Sequence, residues 1–358
     1  MKKYSDKKIV VVGGGTGLST MLRGLKKYTD NITAIVTVAD DGGGSGVLRD
    51  EMGILPPGDI RNCILALAET EPLMEKLLNY RFSEGSLTGQ SFGNLFLAAM
   101  NGVCGNYVEA VSNVSDILRV KGTVLPVTLD DVHINAHLYD GSVIKGECNI
   151  SEGLKLGDKR IERIELVPKK AKILPDAKAA IADADLIILG PGSIYTSVIP
   201  NLLVKGVYKA IKKASAKVVY VCNIMSQPGE SDNMTAYDHV DAIYRHSCEG
   251  LIDICIANTQ DLPERMKKSY NHQNSSRVVI DDKKFKKNGI SLIKKDLVSV
   301  RNNKYIRHNY NALAKTIFEE CLECDKVKTK EKNTRNKIGK VVKVTKSVNS
   351  KSKKNTQD

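Results

Sequence analysis

Residues 9–22, IVVVGGGTGLSTML, carry four apolar residues into three glycines and then into a helical pattern. Gly13, Gly14, Gly15 and Gly17 lack the Cβ that would hold a phosphate off the backbone. The helix after them offers unpaired N–H groups and positive potential at its first turn, where Thr16 stands. The chemistry is therefore anion binding. A strict dinucleotide fingerprint needs glycine where Leu18 stands, and with no Lys-Ser/Thr after the loop a Walker phosphate loop is excluded. Glycine clusters also serve tight turns, so the loop alone leaves both readings open.

Asp40 and Asp41 follow about twenty-five residues past Gly15, where an acidic side chain commonly accepts hydrogen bonds from a ribose. Adjacent carboxylates also bind Mg²⁺ through oxygen ligands and waters, with Asp41 the preferred ligand; an acidic turn ahead of Gly42 is the third reading. Arg49 and Arg61 flank PPGD and are either phosphate clamps or solvated surface residues. Asn94, at a helix start, caps that helix or bonds a sugar or base. Gly190, Pro191, Gly192 and Ser193 close an apolar run and form a second candidate anion turn; no Gly-x-Ser-x-Gly elbow surrounds Ser193. His133 and His137 fall on one face of a strand at ~13 Å, too far to share a metal. His239 and His246 lie two turns apart on a predicted helix. Cys321 and Cys324 form the only Cys-x-x-Cys, with no second ligand pair.

These residues hang on alternating elements. KKIVVVGGG reads as a buried strand, Thr16 to Tyr28 as a helix and NITAIVTVAD as a second strand, a βαβ unit. A long loop from Asp41 leads to a helix with Asp59 as N-cap, then helical patterns over about 72–81, 91–103 and 107–119, and GTVLPVT returns as a strand. VHINAHLYDGSVIKGE alternates around Asp140-Gly141 and predicts an antiparallel hairpin. ADLIILGPGS, AKVVYVCNIM and LIDICIANT are near-continuous apolar strands suited to a sheet covered on both faces. The pattern predicts an α/β, doubly wound, mostly parallel sheet with a small antiparallel β-hairpin insertion at about 131–166.

The 358 residues, 42% hydrophobic and 27% charged, suit a soluble globular chain with one large domain over 1–323. No stretch reaches membrane-spanning length and the start lacks a signal-peptide core, so we expect a cytoplasmic protein with reduced thiols. Residues 324–358 hold 12 Lys or Arg against 3 Asp or Glu, which leaves +4 of the +13 net charge for the body. That basic tail has nothing to pack and is expected to be disordered; lacking aromatic residues, it has no base-stacking platforms, and nucleic acid is not the expected partner.

Six ordered blocks, VVVGGGTGLSTMLRGLK, VTVADDGGGSGVLRDE, GILPPGDIRNCILALAE, LGPGSIYTSVIPNLLV, NIMSQPGESDNMTAYDHVDAI and YIRHN, resemble the gluconeogenesis factor (YvcK) family within the CofD superfamily over roughly residues 7–320. The resemblance implies a Rossmann-like fold, a cytoplasmic location, and a role in growth on gluconeogenic carbon, cell-wall precursor flow and cell shape. It implies a nucleotide ligand, either a UDP-sugar such as UDP-GlcNAc or NAD(P), together with regulatory protein partners and a homo-oligomer. The related CofD enzymes transfer a phospholactyl group onto a deazaflavin precursor with Mg²⁺. In that alternative Asp41 is catalytic and holds the metal, while Arg49 and Arg61 neutralise phosphate charge. Carried across, Gly13 to Gly17, Asp40, Asp41, Asn94, Gly190 to Ser193, Asn223 and Arg307 line the site, with Arg307 as a bidentate diphosphate clamp. The chain departs from the family pattern at Gln90, where His is expected, and at Asn309, where Asp is expected.

Overall fold

The structure, a computed structural model, describes residues 3–153, 160–301 and 305–322. Cys324 and the predicted tail lie outside the described residues. The chain divides into two compact units, residues 1–314 and 315–358; the second is described only over residues 315–322, which are helical.

Seven strands form one parallel sheet: β1 (Ile9–Gly13), β2 (Ile32–Val36), β3 (Thr123–Pro126), β7 (Leu186–Leu189), β8 (Lys217–Val221), β9 (Ile254–Asn258) and β10 (Ser291–Lys295). Their spatial order is β10-β9-β8-β7-β1-β2-β3. The apolar runs read from the sequence are its interior: β1, β7 and β9 are buried throughout. From β1 the chain winds outward through β2 to β3, then crosses to β7 and winds the other way. The order therefore reverses between β1 and β7, the place where open α/β sheets hold ligands.

Helix α1 (Gly15–Leu25) follows β1 and buries Leu18, Met21, Leu22 and Leu25 on one stripe. Near its end Gly24 lies against the backbone of Tyr310; a Cβ there would overlap the Tyr310 carbonyl oxygen. The expected loop after Asp41 is instead half helical, α2 (Gly43–Met52). Three glycines disfavour a helix, but tertiary packing overrides propensity. Gly46 sits on the Asp41 backbone, Leu48 packs with Ile54 and Ala98, and Gly53 at φ +63 closes the C-terminus. Helix α3 (Gly58–Leu67) starts one residue before Asp59, so Asp59 lies in its first turn and is not its cap. After α4 (Pro72–Leu78) comes α5 (Phe92–Cys104), capped by Ser91, whose hydroxyl accepts the Asn94 N–H; Asn94 is inside the helix and does not cap it.

The predicted hairpin forms as β4 (His133–Leu138) and β5 (Val143–Lys145), turning at Asp140-Gly141 with Gly141 at φ +82. A third strand, β6 (Ile161–Val167), pairs with β4 to complete an antiparallel sheet. A second hairpin, β11 (Val298–Arg301) with β12 (Tyr305–His308), was not legible as strands in the sequence. Among the described residues no helix is long and apolar enough to cross a membrane.

Candidate functional site

The tips of β1 and β7 bring the two glycine turns into contact. A Cβ on Gly17 would stand 2.6 Å from the Pro191 carbonyl oxygen, and one on Gly192 would stand 3.1 Å from that of Gly14. A side chain at 17 would overlap that carbonyl, one at 192 would press on its neighbour, and Gly15 holds a left-handed φ of +69 that favours glycine. Both turns are braced from below. Asn201 Nδ2 donates to the Gly13 carbonyl (3.2 Å), and the Asn223 amide bonds both the N–H and the carbonyl of Gly192. Above them opens a cleft of about 460 Å³, walled on its far side by β12.

Arg307 of β12 lines that cleft. Its guanidinium donates to the Ile306 carbonyl (2.9 Å) and lies 5.3 Å from the Tyr305 ring, and among the described residues no carboxylate pairs with it. Such a half-buried cation, with most of its donors unspent, is suited to an anionic ligand. The Tyr270 hydroxyl accepts the Ile306 N–H (2.7 Å) and fixes the strand. Next to Arg307, His308 is buried; desolvation holds its imidazole down at about 4, so it is neutral, and among the described residues its Nε2 has no partner.

The floor beneath the first turn is acidic. Asp59 lies half-buried under the loop and accepts the Gly15 N–H, while a Cβ on Gly14 would stand 2.6 Å from its Oδ2. Burial, then the Asp40 charge, raises its carboxyl to about 6. Glu147 lines the cleft, and burial, then the charges of Asp40 and Glu230, raise it to about 7. Asp40 is itself raised by burial while accepting the Gly42 N–H (3.0 Å). Glu230 accepts the Ser193 hydroxyl and bonds the Ser151 hydroxyl at 3.4 Å.

Asp41 has a different use. Its two carboxylate oxygens accept the N–H groups of Glu147 (3.1 Å) and Cys148 (2.8 Å), at the start of α7 (Glu147–Gly153). It thereby seats Glu147 at the cleft. Both its oxygens are engaged by amides, and among the described residues no three His, Cys, Asp or Glu stand together as a metal site. With each oxygen already accepting an amide N–H, Asp41 is tied into the fold as a tether to α7.

The structure gathers Gly14, Gly15, Thr16, Gly17, Pro191, Gly192, Ser193, Asn223 and Arg307 around one cavity, with Gly13 and Gly190 packed just behind. Arg49, Arg61 and Asn94 do not line it. Arg49 is buried and donates to the Asp40 carbonyl, the Val132 carbonyl (2.6 Å) and the Asp131 carboxylate. Arg61 bonds Ser91 and Asn62 (2.8 Å), and burial lowers its pKa. Asn94 donates to the Ser45 hydroxyl at 3.4 Å. Asp59, Glu147 and Glu230 are acids the sequence reading missed. The one available signal was the polar run QPGESDN, which holds Glu230 and comes shortly after the buried strand β8.

A sequence profile described as "2-phospho-L-lactate transferase CofD" matches residues 9–298, and the chain belongs to the CofD family. Within that family it is of the gluconeogenesis factor type. The protein from Bacillus subtilis described as "Gluconeogenesis factor" is 46% identical over 313 residues, covering 87% of this chain and 97% of that one. A relative from Thermoanaerobacterium thermosulfurigenes is 59% identical over 312 residues, 87% of this chain and 96% of its own. A crystal structure from Bacillus halodurans, described as a member of the UPF0052 family, superimposes with a TM-score of 0.84 at 43% identity, over 87% of this chain and 100% of that one.

Proposed function

We propose that this protein is a regulatory binding protein for a nucleoside-diphosphate ligand, a UDP-sugar such as UDP-GlcNAc or else NAD(P), and that the liganded state acts on partner proteins in carbon metabolism, cell-wall precursor flow and cell shape. One observation carries the ligand class: Arg307, which pairs with no carboxylate among the described residues, lines the same cleft of about 460 Å³ as the two glycine turns. The turns admit a phosphate closely, the start of α1 favours negative charge, and a guanidinium can grip a diphosphate in bidentate fashion. Glu147 and Asp59, raised to about 7 and about 6, can hold protons near neutrality and so limit repulsion of the diphosphate. The cell-level role rests on the likeness to gluconeogenesis factors. Calorimetry with UDP-GlcNAc and with NAD⁺, on the wild type and Arg307→Ala, tests the reading; no binding, or equal affinity in both, removes it.

A second reading, a phosphoryl-type transferase, gains support from Glu147. A cleft carboxylate raised to about 7 is a proton acceptor suited to an attacking hydroxyl, and a stronger one than His308 of the same cleft, held down at about 4. Turnover of a sugar nucleotide or a phospholactyl donor that is lost in Glu147→Gln would favour it. Absence of turnover with both substrate classes removes it.

A further inference from the structure

A second hollow, of about 500 Å³, opens beside the cleft between α1, α3, α4 and the end of β11, and the two share Thr16 and Thr20 as lining residues. Thr16, Ser19, Thr20 and Arg23 line it at i, i+3, i+4 and i+7, one stripe of α1 that leads about 10 Å along the helix from the first glycine turn. Its walls are held in place: α3 packs on α1, and α4 packs on α5, against which α6 (Tyr107–Ile117) packs in turn. The charge in the hollow is lopsided. Arg23, Lys76 and Arg301 line it against a single carboxylate, Glu75. Arg23 spends one N–H on Glu75 (2.9 Å). Lys76 and Arg301 are exposed, and among the described residues neither pairs with a carboxylate. Asn62 adds an amide whose oxygen already accepts from Arg61 (2.8 Å), which leaves its donors.

Strand register ties the hollow to the cleft. Arg301 of β11 stands directly opposite Tyr305 of β12 and diagonal to Arg307, whose own partner is Ser299. The two arginines therefore share one face of the hairpin, with Cβ atoms roughly 7–8 Å apart. Arg307 lines the cleft and Arg301 the hollow. Accessible cations that converge on one concave wall focus a positive field there, which an anion offsets. We propose that the nucleoside-diphosphate ligand carries a second anionic group, a phosphate or a carboxylate, seated in the hollow by Arg301, Lys76 and the unspent donors of Arg23. On the diphosphate reading of the cleft, on which this rests, Arg307 takes the diphosphate and Arg301 takes an anion one sugar ring away. Two ligand types carry such a group: a dinucleotide with a ribose phosphate, and a sugar nucleotide whose sugar is an acid.

Calorimetry on the full-length chain at fixed ionic strength compares two matched pairs, NADP⁺ against NAD⁺ and UDP-glucuronate against UDP-glucose. In at least one pair the more anionic member binds at least about tenfold tighter, and the pair that shows the gap tells phosphate from carboxylate. In Lys76→Ala/Arg301→Ala the gap closes to less than about threefold, and the less anionic member changes less than about twofold. The unfolding temperature stays as in wild type, since both side chains are exposed. In Arg307→Ala both members of that pair weaken together. If the members of each pair bind the wild type alike, or if the gap survives in the double variant, the second-anion site is overturned while the diphosphate reading stands. If none of the four binds, the second-anion site falls, and the diphosphate reading falls with it unless UDP-GlcNAc binds the wild type.

Discussion

Asn223 holds Gly192 by both of its backbone polar groups: Nδ2 donates to the carbonyl at 2.8 Å and Oδ1 accepts the N–H at 3.2 Å. The second glycine turn is therefore shaped from the end of β8, and the Gly192 amide is not free to meet a ligand. Asn223→Ala removes two part-buried hydrogen bonds and should cost roughly 1–3 kcal/mol in urea unfolding. UDP-GlcNAc affinity should fall about tenfold, because the turn loses its set position; Asn223→Asp, which keeps only the acceptor, should fall between the two.

Arg307 pairs with no carboxylate among the described residues, so it contributes to binding and little to stability. A charge-assisted hydrogen bond contributes about 1.5–3 kcal/mol, and Arg307→Ala should weaken UDP-GlcNAc by about 10–100-fold. The unfolding midpoint should stay within about 1 °C of wild type. Arg307→Lys, a point charge without the planar fork, should recover part of the affinity.

Arg49 should behave in the opposite way. Its loss strands the Asp40 and Val132 carbonyls, so Arg49→Ala should destabilise by about 2–4 kcal/mol. UDP-GlcNAc affinity, measured under conditions where the variant is folded, should change less than threefold.

Asp59 sets a pH dependence. Its carboxyl moves from an ordinary 3.8 to about 6 on folding, so the folded state holds the proton more tightly than the unfolded chain. That contribution to stability is complete below about 3.8 and is lost as pH rises through about 6. Glu147, moved from 4.5 to about 7, extends the window upward. Asp59→Asn should therefore be more stable than wild type at about pH 8, by roughly 1–3 kcal/mol, with the gap closing at about pH 4. UDP-GlcNAc should bind several-fold tighter at about pH 6 than at about pH 8, with a flatter profile in Asp59→Asn.

The turns were legible as candidates because both glycine runs close buried strands, and the reversal of order between β1 and β7 places both runs at one crevice. Arginine placement was not legible. A guanidinium in a polar segment looks the same whether it ends on a ligand or on the protein's own carbonyls, and only the folded loop decided that Arg49 takes the second course. Arg307 came from likeness to a family, since YIRH is a four-residue strand with too little pattern to read. Asp59 looked like a cap because Asp favours helix starts; the helix begins one residue earlier, and that shift turns the carboxyl under the glycine loop. Asp41 was read for sugar or metal, yet it ties two distant segments together through α7, a contact across more than a hundred residues that no local pattern encodes.

The missing side chain at Gly24 has a long reach. The helix that begins at the phosphate turn ends against Tyr310, three residues past Arg307, at a spacing that only hydrogen tolerates. One rigid rod thus carries the near jaw of the cleft at its front and docks the strand bearing the far jaw at its back. A single methyl group added at residue 24 would spread the jaws from behind, loosening the grip while leaving every atom that touches the ligand chemically unaltered.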